Sequence, residues 1–157
     1  MRRLTFLLGL GVLLAFASPA AAATTIPVKL TFTEPVVPAF KSGDCAVVPE
    51  GFCGQGEVIP FGQATETIEF GACGEGCDLR TINLAGGSIF IEETFSNGDC
   101  PGACQPNKAE PASGTLTDVI VGGTGIFEGA TGTLTGTVRA AGLQSQIKLS
   151  GTITLDP

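Results

Sequence analysis

Four charged residues fall at positions where the alternation of apolar side chains predicts a buried strand face: Arg80, Glu93, Glu66 and Asp118. Burial raises the pKa of a carboxyl group toward the range useful for proton transfer, whereas a nearby arginine keeps a carboxylate ionised. Two interpretations stay open. The residues form a partly hydrated ion pair with a structural role, or they form a site in which Arg80 anchors an acidic ligand and Glu66 or Glu93 moves a proton.

Arg80 and Glu93 lie on the two arms of a predicted hairpin. A two-residue turn at Gly86-Gly87 would place Arg80 directly opposite Glu93. The same register collects the apolar residues of both arms on one face: Ile82, Leu84, Ile89, Ile91 and Phe95. A three-residue loop would scatter them over both faces, so the pattern favours the shorter turn. We therefore predict that Arg80 and Glu93 pair on the apolar side.

The composition excludes several chemistries. The chain has no histidine, which removes Ser-His-Asp and Cys-His nucleophilic systems and imidazole metal sites. It has no tryptophan or tyrosine to stack on sugar rings, and no spacing of its carboxylates resembles an EF-hand loop. We expect no cofactor and no metal site.

Six cysteines form three local pairs in loops rich in glycine: Cys45 and Cys53, Cys73 and Cys77, and Cys100 and Cys104. An even number in an exported protein indicates disulfides, with one bridge per loop or bridges between loops as the alternatives. A zinc site built from the two Cys-x₃-Cys pairs is not favoured, and the Cys-x-x-Cys spacing of redox enzymes is absent.

The first 22 residues have the pattern of a secretory signal peptide. A basic start at residues 1–3 precedes an apolar run at 4–16 and small residues at 17–22, with cleavage expected after Ala22 or Ala23. We predict a secreted domain over 23–157 with no membrane anchor, because no cysteine lies at the cleavage point and no later apolar run is long enough. Loss of Arg2 and Arg3 leaves six basic residues against 15 acidic ones, so nucleic acid is a poor partner.

The remaining chain predicts half-buried antiparallel strands and no helix. Apolar residues alternate with polar ones at 26–33 and 147–155. Residues 34–38 are expected to end or bend the first strand, because their prolines cannot donate to a central ladder. Residues 58–70 are extended with a break near Gly62, and 41–56 is a cysteine-bearing loop. Residues 119–132 contain a turn in which glycines permit chain reversal: Gly122, Gly123, Gly125 and Gly129. Phe127 in this turn is predicted to enter the open end of a curled sheet. A phosphate-binding loop is rejected because a Thr-rich strand, not a helix, follows.

The segment Gly-Gly-Thr-Gly-Ile-Phe-Glu-Gly-Ala-Thr-Gly at 122–132 resembles the motif shared by allene oxide cyclases, dirigent proteins and small exported bacterial proteins with the same barrel. The resemblance implies a single eight-stranded antiparallel β-barrel with an apolar lumen, often assembled as a homotrimer. The plant cyclases use a pocket with a tyrosine. This chain has none, so their active site is not carried over.

Two classes of function remain. The first is a non-catalytic secreted barrel that binds a small apolar molecule or has a surface interaction role, which the missing catalytic set favours. The second is a cyclase or isomerase that folds a flexible apolar substrate in the lumen with help from carboxylates such as Glu66 and Glu93. A barrel filled with side chains would weigh against both uses of the lumen and favour a partner bound outside.

Overall fold

The computed structural model describes residues 22–35, 51–96, 112–141 and 144–157. These residues form eight antiparallel strands in a closed barrel, in which each strand pairs with the next and the last pairs with the first. The strands are β1 (Thr24–Pro35), β2 (Gly51–Ile59), β3 (Gly62–Gly74), β4 (Cys77–Leu84), β5 (Gly87–Ser96), β6 (Ala112–Gly123), β7 (Thr131–Ala141) and β8 (Gln144–Leu155). The predicted all-β, eight-stranded antiparallel barrel is confirmed.

The alternation of side chains explains why the sheet curls around one core. On β1, Val28, Leu30 and Phe32 are buried, while Lys29 and Thr31 between them are exposed. Side chains of a strand point alternately to its two faces, so a strict alternation gives each strand one apolar side. When the sheet closes, these sides meet in the barrel interior and the polar sides face water.

The first and last strands close the barrel with the longest continuous pairing. All 12 residues of β1 pair with β8, from Thr24 opposite Leu155 to Pro35 opposite Gln144. Such pairing removes the free sheet edges that otherwise favour aggregation.

One end of the barrel is plugged by the connection between β6 and β7. Residues Gly125–Phe127 form a single 3₁₀ turn, and the ring of Phe127 is fully buried, as predicted. It makes an edge-to-face contact with Phe61 of the β2–β3 turn, with the ring centroids 5.0 Å apart. Backbone hydrogen bonds from Thr124 and Ile126 to the β4–β5 hairpin hold the turn in place.

The predicted register of the β4–β5 hairpin is wrong by two residues. The turn is Ala85-Gly86, so Arg80 lies opposite Ile91, and Glu93 lies opposite Asp78. The glycines serve close packing against the plug: Gly87 has a φ of +141°, and a Cβ there would meet the Thr124 carbonyl. A shift of two leaves every side chain on its predicted face, so Arg80 and Glu93 still both point inward.

Two predictions about the loops have different outcomes. Residues 51–56 belong to β2 and not to a loop, because their backbone pairs with β3 from Gly51 opposite Glu69 onward. Cys73 and Cys77 form the predicted local disulfide across the β3–β4 hairpin, with their Cα atoms 5.2 Å apart. Cys53 is also disulfide-bonded. Its predicted partner Cys45, and the predicted Cys100–Cys104 pair, lie outside the described residues.

Candidate functional site

Arg80 is the centre of a charged cluster inside the barrel. It lies on β4 between Ile68 of β3 and Ile91 of β5, and only 1% of its surface is exposed. Four acids surround its guanidinium, each from a different strand: Glu34 on β1, Glu66 on β3, Glu93 on β5 and Asp118 on β6. We call these five residues the Arg80 cluster. The structure thus brings together all four charged residues predicted from the sequence.

Two glutamates hold the guanidinium directly. Arg80 donates from Nε and from Nη2 to Oε2 of Glu93, at 2.8 and 2.5 Å. Its Nη1 donates to Oε2 of Glu66. All three guanidinium nitrogens therefore contact a carboxylate of the protein itself, and the group that we predicted to anchor an acidic ligand is occupied by internal partners. Charge-assisted bonds of this kind are among the strongest that side chains form.

Glu34 is a member of the cluster that the sequence interpretation missed. Its Oε1 lies 3.7 Å from Nη1 of Arg80, and the residue is buried. The signal was present, since Glu34 continues the series of buried positions Val28, Leu30 and Phe32. It was missed because Pro35 was expected to end the strand there, whereas β1 continues through that residue.

Asp118 has no hydrogen-bond partner within the part of the chain that the structure describes. It lies directly opposite Glu93 across β5 and β6 and is completely buried, and neither of its carboxyl oxygens accepts a hydrogen bond from a described residue. Burial, together with the nearby charges of Glu93 and Glu66, raises the pKa of Asp118 to about 8, although Arg80 acts in the opposite direction. At neutral pH its carboxyl group is therefore mainly protonated.

Burial also affects the pKa values of Glu34, Glu66 and Arg80. It raises the pKa of Glu34 well above the ordinary value and raises that of Glu66, and in both cases Arg80 opposes the shift. Burial alone would lower the pKa of Arg80, but the charges of Glu66, Glu93 and Glu34 raise it well above its ordinary value. The guanidinium stays charged, and the excess acid is accommodated as neutral carboxyl groups.

A glycine on β2 allows two of the acids, Glu34 and Glu66, to pack close to each other. Gly54 of β2 lies opposite Glu66, and a Cβ at this position would be 2.7 Å from Glu66 Oε1 and 3.0 Å from Glu34 Cγ. The two glutamates therefore pack over the glycine with no room for a larger residue. This wall of the cluster is filled by the protein's own side chains.

The cluster borders the apolar core on the plug side. Moving from Asp118 toward the plug, the next inward residue on β6 is Ile120, which is buried together with Ile91 of the neighbouring β5 and Ile82 of β4. Four carboxyl oxygens are shielded from solvent with no hydrogen-bond partner in the described part of the chain: Glu34 Oε1, Glu66 Oε1, Asp118 Oδ1 and Asp118 Oδ2. Among the described residues, no group of carboxylates or cysteines is arranged to hold a metal ion.

The structure also locates the glycines of the predicted turn. Gly122, Gly125 and Gly129 adopt positive φ angles. Gly123 does not, but a Cβ there would lie 2.6 Å from the Phe127 carbonyl, so close packing of the plug requires a glycine.

A pocket of about 280 Å³ lies on the wall formed by β2 to β4, lined by Gln55, Gln63, Ala64, Thr65 and Asn83. It contains no residue of the Arg80 cluster.

Comparison with known proteins adds no functional assignment. No protein-family model, curated protein or solved structure matches the chain. The described residues contain no helix long and apolar enough to cross a membrane.

Proposed function

We propose that this chain is an exported, non-catalytic β-barrel that acts through its outer surface. One observation carries the proposal: the buried inward-facing residues of the described strands form one apolar cluster, and the charged residues beside it pair with one another. Apolar residues occupy the plug half of the barrel, and the Arg80 cluster follows with carboxyl oxygens shielded from solvent. A small barrel with such a core offers a rigid outer wall for contacts, which supports a surface role over a ligand in the lumen.

The outer face of β6 and β7 supports self-association as that surface role. Its outward positions at 115–121 and 131–137 are all threonine or valine, and they are exposed. Val119 and Val121 expose 45% and 48% of their surface side by side on β6. Since the chain carries 15 acidic residues against eight basic ones, an uncharged stripe is where two copies meet with the least repulsion. We propose a homotrimer held by this stripe.

The proposed family and compartment have separate support. An allene oxide cyclase/dirigent-like barrel agrees with the eight-stranded closed sheet and with the plug built by the motif at 122–132. Secretion agrees with the Cys73–Cys77 disulfide, since such bonds persist in oxidising compartments. These points support the proposal that residues 1–22 are a signal peptide.

Native mass spectrometry of the oxidised protein purified from its own secretion host tests this proposal. We expect the mass of a trimer with no additional bound compound. Val119→Glu should shift the protein to monomers, whereas Ile59→Glu, at a position that is 53% exposed elsewhere on the barrel, should leave the assembly unchanged. Extra mass that dissociates on denaturation would instead support a small apolar ligand bound in the lumen, and a monomeric wild type would refute the proposed assembly.

A cyclase or isomerase is the second candidate, and Asp118 is the observation that favours it. A carboxyl group with a pKa of about 8 next to Glu93 supplies a proton donor inside an apolar barrel. The sequence pointed to Glu66 and Glu93 as proton carriers, but both are held by Arg80, which makes Asp118 the sharper choice. Asp118→Asn should abolish turnover of a flexible apolar substrate without changing the fold. Turnover that survives the substitution would exclude this role.

A further inference from the structure

The Arg80 cluster contains more acid than its one cation can balance. Arg80 faces four carboxyl groups, and two of its three carboxylate hydrogen bonds go to the same oxygen of Glu93. Glu93 and Asp118 occupy directly opposed positions on neighbouring strands. Like charges in such a pair repel each other, so the arrangement is more stable when the carboxyl group of Asp118 is neutral.

A proton is the partner that this interior accommodates. The oxygens of Asp118, Glu34 and Glu66 that lack a partner among the described residues are shielded from solvent, and the tight contacts at Gly54 leave no space between the two glutamates and β2. A proton occupies no volume, and it converts a carboxylate acceptor into a group that donates to its neighbour. Each bound proton therefore removes repulsion without requiring the barrel to open.

We propose that the opposed carboxyl groups of Glu93 and Asp118, with Glu34 and Glu66 beside them, form a built-in proton site that holds the barrel closed in acid and weakens it in alkali. The charged groups that face Asp118 come from three strands: Glu66 on β3, Arg80 on β4 and Glu93 on β5. Glu34 on β1 acts on the same guanidinium. On its β7 side Asp118 lies opposite the apolar Leu134, so no further charge from that strand opposes proton binding.

The direction of the effect follows from proton linkage. In the fold Asp118 has a pKa of about 8, and its ordinary value is 3.8. Between these values the folded chain binds a proton that the unfolded chain lacks. The stabilisation is fully present below pH 3.8 and is lost as the pH rises through 8. The raised pKa values of Glu34 and Glu66 act in the same direction.

Urea unfolding of the oxidised protein between pH 5 and pH 9, at constant ionic strength, tests the proposal. Each proton held only by the fold makes the unfolding constant rise about tenfold per pH unit between the two pKa values. Asp118→Asn should reduce this slope by about one proton and should become more stable than the wild type above pH 8. Glu92→Gln removes an exposed acid next to Glu93 on β5 and should leave the slope unchanged.

A proton count on the wild type gives a test that does not depend on any variant. Unfolding at pH 6.5 in weakly buffered solution should release at least one proton per chain, measured with an indicator dye. Release of no proton, or uptake of protons, would overturn the proposal. A slope in Asp118→Asn equal to that of the wild type would also overturn it, because Asp118 would then not be the group that binds the proton.

Discussion

Replacement of Arg80 by methionine should destabilise the barrel strongly at neutral pH. The guanidinium is 1% exposed and donates three hydrogen bonds to the carboxylates of Glu66 and Glu93. Methionine keeps most of the side-chain volume but leaves these carboxylates buried without a cation. Removal of one partner from a buried ion pair typically costs about 3–5 kcal/mol.

Proton uptake limits this loss and makes it depend on pH. An orphaned glutamate with an ordinary pKa of about 4.3 binds a proton at pH 7 at a cost of roughly 4 kcal/mol. At pH 4.5 the same protonation costs almost nothing, so the remaining loss is the imperfect packing of methionine, about 1 kcal/mol. Arg80→Met should therefore lose about 5 kcal/mol of stability at pH 7 and only about 1 kcal/mol at pH 4.5.

Thermal and urea unfolding at pH 7 and pH 4.5 measure this difference. For a domain of this size, a loss of about 5 kcal/mol lowers the melting temperature by about 10–20 °C. Arg139→Met is the matched control, because Arg139 is exposed on the outer face of β7 and its loss should have little effect at either pH. A deficit of equal size at both pH values would refute the reasoning, since the lost energy would then come from packing and not from uncompensated charge.

Three further predictions concern the plug and the hairpins. Phe127→Ala should cost about 3–5 kcal/mol in urea unfolding, because it empties the closed end of the barrel. Gly125→Ala should lower the free energy of unfolding clearly more than Gly71→Ala, because a new Cβ meets a backbone carbonyl at Gly125 and not at Gly71, although their φ angles of +62° and +68° are alike. Equal losses would show that backbone strain, and not the steric contact, dominates. Reduction of the Cys73–Cys77 bridge, or its replacement by two serines, should lower stability by about 2 kcal/mol because the closed loop is short.

Alternation along the strands was sufficient to predict that four charged residues face the barrel interior. Glu66, Arg80, Glu93 and Asp118 all point inward as the sequence indicated, because the side-chain period of a strand does not depend on which strand lies beside it. The predicted hairpin register was wrong, yet the inward assignment of Arg80 and Glu93 survived, since the error was an even number of residues.

Which buried charged residues contact one another inside the barrel could not be predicted in the same way. The sequence gives no direct measure of how neighbouring strands slide past each other, so it could not show that Asp118 lies opposite Glu93 or that Glu66 shares the guanidinium. The true position of the β4–β5 turn depends on contact with the plug, which is distant along the chain. Glu34 was within reach of the alternation rule, and the expectation that proline ends a strand concealed it.

The pairing of β1 with β8 has a consequence for how the chain reaches this state. The closing ladder joins residues separated by about 130 positions, from Thr24 to Leu155, so the barrel cannot be completed until the last strand has been synthesised. Contacts between such distant residues cost much chain entropy before they form, and they are typical of slow folding. Until then β1 and β7 are open edges that another chain can capture. The same ladder places the two ends of the described domain side by side. A short linker between these ends, combined with a cut at an exposed hairpin, would give a permuted chain in which β8 is followed directly by β1. The pairing of β1 with β8 would then join residues that are close along the chain.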